Sequence, residues 1–184
     1  NRPKTAKTKS HSTRPGGVRM KRRHSRGRLH PAMILIGMIA LLAGALVYLL
    51  DRPPESAFFV REYLPQLHLH EKLPPVFGKL GSVLPDFIHP FSLSLITAGL
   101  IARSLGGCLI ACMFWFTVNS LFELGQLFQS VAVSLVPGWF EYIPILSNCK
   151  SFFQNGTFDP LDLGAMFLGA FLAFCFMIPF FRKD

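Results

Sequence analysis

NGTFDPLDLGAMFLGAFLAFCFMIPFFRK, residues 155–183, holds nineteen uncharged residues in a row, Leu163 to Phe181. Asp159 and Asp162 precede them and Arg182 and Lys183 follow. Nineteen residues make roughly 28 Å of helix, enough for a bilayer core of about 30 Å. The run is therefore read as a membrane span, and its two acids as a question. A charge carried to the centre of hydrocarbon costs about 2.5–3.5 kcal/mol even on the lenient insertion scale. Asp159 before Pro160 reads as an N-cap and N1 pair, with Asp162 at N3. In those places both acids complement the helix dipole and satisfy free N–H groups.

The same composition extends outward. Half of the 184 residues are apolar and 16% are charged, against about 25% in soluble domains. Eleven of the 19 Lys and Arg lie before residue 30. Residues 1–30 are a basic cytoplasmic tail with too little apolar surface to offset chain entropy, and are expected to be disordered unless a partner binds them. Residues 31–184 are read as an all-α integral membrane domain of four transmembrane helices, at about 32–50, 86–103, 107–128 and 161–181. The first follows a basic segment and shows no small-x-small cleavage site, which reads as an uncleaved signal anchor.

Four spans put both termini on one side. Fourteen basic residues fall on the side of the tail and five on the other, so the positive-inside rule predicts cytoplasmic termini. The two outer connections carry apolar segments, around Phe59 to Leu67 and Val131 to Leu146. They are too short or too proline-broken to span and are read as interfacial helical segments, with Trp139, Phe140 and Tyr142 at headgroup depth.

This topology places Asp86 and His89 at the outer end of the second span and Glu123 and Gln126 near the outer end of the third. Asp159 and Asp162 open the fourth at the same depth. Asn119, Glu123, Gln126 and Ser130 form one polar stripe at helical spacing. Ala165, Gly169 and Ala173 continue the face of Asp162 as a small-xxx-small pattern for close helix packing. Helix caps and interhelical hydrogen bonds account for most of these residues. Glu123 fits capping poorly, since it lies at least a turn inside its span. The expected site is therefore an outward-facing ligand site formed by Asp86, His89, Asn119, Glu123, Gln126, Asp159 and Asp162, with His89 and Asp162 as partners of Glu123. Its acidity suits an amine, a cation or a sugar hydroxyl. Use of His89 and Glu123 as acid and base is a third, enzymatic reading.

No phosphate loop, G-x-S-x-G, HExxH or haem motif occurs, and no cofactor is expected. Cys108 and Cys112 share a helix face without a third ligand, and His68, His70 and Glu71 lie in a loop, so no metal site is predicted. Membrane lipids are the expected partners, held in part by the basic tail. The tail lacks interleaved aromatics and does not read as a nucleic-acid binder.

Three stretches, PDFIHPFSLSLITAGL (85–100), FELGQLFQ (122–129) and FDPLDLGAMFLGAF (158–171), resemble the VanZ-like family of small bacterial membrane proteins. The resemblance covers about residues 80–180. It aligns Asp86 and His89, Glu123 and Gln126, and Asp162 with Gly169 to the family's polar stations. Departures are a gap of three rather than four between Asp86 and His89, Met166 in place of an Asn, and no Arg near Gly156. The resemblance implies a protein of the bacterial inner membrane connected with the cell envelope and glycopeptide response. The alternative is an accessory subunit of a larger respiratory or photosynthetic membrane complex, held by its spans and basic tail.

Overall fold

The computed structural model describes residues 29–51, 76–78, 80–144 and 146–182. The expected basic tail, the Phe59–Leu67 segment and the His68–His70–Glu71 cluster lie outside these residues, apart from the tail's last two. Helices α1 (Pro31–Asp51), α2 (Leu80–Ile101) and α3 (Leu105–Leu127) are followed by short α4 (Gln129–Leu135). A 3-10 turn (Gly138–Tyr142), short α5 (Cys149–Asn155) and long α6 (Pro160–Phe181) complete the fold. The protein is all-α: α1, α2, α3 and α6 are long and apolar enough to cross a membrane, and the described residues include no strand.

Helix α2 is the hub, packing against α1, α3 and α6, while α3 also packs against α6. Lipid cannot drive helices together by hydrophobic exclusion, so close approach of backbones matters more here than apolar area. Gly37 and Gly169 mark two such approaches. A Cβ at Gly37 would stand 2.8 Å from the carbonyl oxygen of Ser92, and one at Gly169 would collide with the carbonyl of Phe87. The buried core lies toward the α2–α3 turn, where Met33, Leu95, Cys108, Cys112, Ala173 and Met177 meet. Outward faces are apolar as well: Leu42 on α1, Ile110 on α3 and Phe167 on α6 are more than half exposed, which suits lipid and not water.

The bundle has two distinct ends. At one, Ser104 caps α3 by accepting the Gly107 N–H, the backbone N–H of His30 donates to the carbonyl of Gly99, and the His30 ring lies 4.7 Å from that of Phe181. The entrance to α1 and the exit of α6 therefore share this end. At the other end lie the exit of α1, the start of α2, helices α4 and α5, and the start of α6.

There the second span begins earlier than expected, at Leu80 rather than residue 86, after a turn that another helix holds. The carboxylate of Asp51, the last residue of α1, accepts the N–H groups of Val76 at 2.8 Å and Phe77 at 2.7 Å. Gly78, with φ +51, turns the chain into α2. Asp51 thus ends its own helix but stands at the positive end of the next, where a carboxylate is favourable. Pro85 and Pro90 lie inside α2, buried, and remove the N–H groups that would bond the carbonyls of Gly81 and Asp86. Asp86 is consequently well inside the helix rather than at its tip.

Candidate functional site

Glu123 is the one charged side chain buried among the described residues, at 4% exposure. It reaches the start of α6, where Oε1 accepts the backbone N–H of Asp159 at 2.8 Å. Asp159 is the N-cap of that helix, and its own Oδ1 accepts the Leu161 N–H at 2.9 Å. In a capping box, the residue at N3 reaches back to the N-cap N–H. Here that half of the box is supplied across the bundle by Glu123. An acid placed too deep to cap its own helix caps its neighbour.

The second carboxylate oxygen of Glu123 accepts a 3.4 Å bond from the side-chain amide of Gln126, one turn further along α3. Gln126 in turn lies against Gly156, where a Cβ would overlap its side-chain amide. Gln129 donates to the carbonyl of Gly156 at 3.1 Å. Glu123, Gln126 and Gln129 therefore hold the 156–159 segment from one side.

The other polar residues are distributed around the same bundle. The His89 ring stacks on Tyr48 of α1, with centroids 6.4 Å apart, a partner from the first span that sequence patterning did not single out. Asp162 occupies N3 of α6, half-buried, and its N–H donates to the carbonyl of Asp159. Glu123 itself is engaged by the Asp159 N–H and the Gln126 amide. Asn119 donates to the carbonyl of Trp115 in its own helix, and Trp115 donates to Thr97 of α2 at 2.9 Å. Ala165, Gly169 and Ala173 are buried on the bundle side of α6.

The polar stripe on α3 is shorter than its spacing suggested. The helix breaks at Phe128, whose φ of −110° and ψ of 50° leave the helical region, so Ser130 belongs to α4. No Gly or Pro marks the break. It opens a groove of about 580 Å³ between the α3–α4 junction and the 156–158 segment. Gln126, Phe128, Gln129, Ser130, Thr157 and Phe158 are among its lining residues. Gln129, Thr157 and Phe158 fell outside the expected site, because only the fold brings the α5–α6 connection beside α4.

Beyond the groove, Lys150 of α5 pairs with Glu141 of the 3-10 turn at 2.6 Å. The Lys150 hydrogen bond and charge hold the Glu141 carboxyl below its ordinary range. Burial pushes the neighbouring Cys149 thiol up. No group of three or more metal-ligating side chains forms among the described residues. No family model matches the chain, and no curated protein or solved structure matches it either.

Proposed function

We propose that this is a VanZ-like protein of the bacterial inner membrane, with both termini cytoplasmic, that binds a cell-envelope molecule at the periplasmic end of its bundle. One observation carries the reading. The only buried carboxylate among the described residues, Glu123, braces the opening of α6 beside a polar groove. That groove lies at the end the charge asymmetry assigns to the periplasm. The family's polar stations, Asp86, His89, Glu123, Gln126 and Asp162, all occur toward this end, and the basic tail leads into the opposite one. The protein acts by holding its ligand rather than by transforming it. The acid–base pairing of Glu123 with His89 lacks support, since the carboxylate is engaged with a backbone N–H and an amide.

Single-cysteine variants at 126, 157 and 159 in intact cells test the sidedness. Labelling by a membrane-impermeant maleimide is expected at all three, and labelling only after permeabilisation would overturn it. Substituting Gln126 by Ala should change glycopeptide susceptibility at unchanged expression. Purification in mild detergent should yield the chain without a stoichiometric protein partner. Co-elution with a large membrane complex would instead assign it as an accessory subunit.

A further inference from the structure

We infer that the groove between Gln126–Val131 and Gly156–Phe158 takes an uncharged glycosyl headgroup. The inference deepens the proposed function and rests on its reading of this end as a binding site.

Charge is the first argument. Among the described residues, no ionisable side chain lines the groove. Three acids near in sequence are already engaged: Glu123 with the Asp159 N–H and Gln126, Asp159 with the Leu161 N–H, and Glu141 with Lys150. An ion placed here would lose hydration with no ionisable lining residue among the described ones to pair with directly, at a cost a neutral ligand avoids. Two of the acids expected at the site, Glu123 and Asp159, thus hold the opening of α6.

The second argument is hydrogen-bonding capacity. Gln126 and Gln129 are carboxamides, and Ser130 and Thr157 are hydroxyls, so the lining offers donors and acceptors without charge. Both carboxamides are oriented by their amide nitrogens, on Glu123 and on the Gly156 carbonyl. Their orientation is therefore set before a ligand arrives, which lowers the entropy cost of binding. Phe128 and Phe158 add ring surface for the apolar face of a pyranose. This mixture of fixed neutral polar groups and aromatic rings, in a space within the usual range of about 300–1,000 Å³, matches a sugar better than an ion.

The place of the groove supplies the third argument. It sits at the end of a membrane-length helix, beside exposed Leu127, Val131 and Leu135. A sugar carried on a lipid could seat its headgroup in the groove and leave its chains along that apolar edge.

The test uses the full chain in nanodiscs of phosphatidylcholine, with either a neutral diglucosyl diacylglycerol or phosphatidylethanolamine added. Retained lipid is counted by native mass spectrometry. The glycolipid should be enriched at least fivefold over phosphatidylcholine, and Thr157→Val and Gln129→Leu should each abolish most of that enrichment. Thr157 is exposed, and no hydrogen bond of its side chain supports the fold among the described residues, so Thr157→Val separates binding from folding. Soluble maltose that displaces the glycolipid assigns recognition to the sugar alone, and failure to displace it assigns recognition to the lipid-linked form. Enrichment of phosphatidylethanolamine through the same two residues would overturn the neutral-sugar inference while leaving the binding site standing. Enrichment of neither lipid, or enrichment indifferent to both substitutions, would overturn the inference outright; the cysteine labelling above judges the sidedness on its own.

Discussion

The carboxylate of Glu123 accepts the backbone N–H of Asp159, 36 residues away in sequence, at 2.8 Å. This bond joins the end of α3 to the start of α6. It also explains why an acid tolerates 4% exposure inside a membrane-length helix. A buried acceptor left without a donor, or a buried donor left without an acceptor, costs about 1–3 kcal/mol.

Glu123→Ala should therefore destabilise the protein by about 1–3 kcal/mol, since the Asp159 N–H loses its acceptor. Glu123→Gln keeps a carbonyl oxygen at that position and should recover most of the loss. Thermal unfolding in detergent distinguishes the two; equal losses would mean that the negative charge, not the acceptor, is what the site requires.

Gly169 packs where a side chain would strike the carbonyl of Phe87, whereas a Cβ at Gly164 meets nothing within 4 Å. Gly169→Ala should cost about 1–3 kcal/mol, as overpacking does in closely packed interiors. Gly164→Ala should be neutral or slightly stabilising, from helix propensity. The contrast is read from the thermal midpoints of the two variants prepared side by side.

Asp51 joins the exit of α1 to the approach to α2 through two backbone N–H groups. Asp51→Asn retains one acceptor and should loosen this junction partly; Asp51→Ala should loosen it fully. Limited proteolysis is expected to cut near Val76 faster in the order Ala, Asn, wild type. Identical rates would show that the bonds do not hold the junction.

The Glu141–Lys150 pair has a defined pH signature. The pair lowers the Glu141 pKa in the folded protein. A depressed carboxylate adds stability that is present above its ordinary pKa of about 4.3 and is lost as pH falls through the folded value. Lys150→Ala should raise the Glu141 midpoint in a carboxylate NMR titration. Its small effect on stability should vanish at pH values below that midpoint, because an exposed pair contributes little in any case.

Cys149 is buried and its thiol is held in the protonated form by desolvation. Only the thiolate is a strong nucleophile. Alkylation by iodoacetamide at pH 7.5 should be slower than for a free cysteine peptide and should accelerate on unfolding. A rate equal to the peptide's would place Cys149 in contact with water.

Several features follow directly from residue type and spacing. Long apolar runs bounded by charges identify membrane-length helices because every backbone N–H and C=O in hydrocarbon must be bonded within its own segment. The N-cap at Asp159 is equally local, since it needs only Asp, Pro and the N–H groups of the next turn. The start of α2 at Leu80 was not legible, because its support comes from Asp51 of another helix. The break at Phe128 carries no Gly or Pro to announce it, and the groove it opens includes Thr157 and Phe158 from a separate part of the chain.

Sequence by itself determined the helical, membrane-length architecture of this protein and the N-cap at Asp159, because those depend on neighbours within a turn. Tertiary structure alone decided what Glu123 does. Spacing could place that acid on an inward stripe, but which donor meets it depends on how α3 and α6 pack, and backbone N–H groups look alike in every sequence.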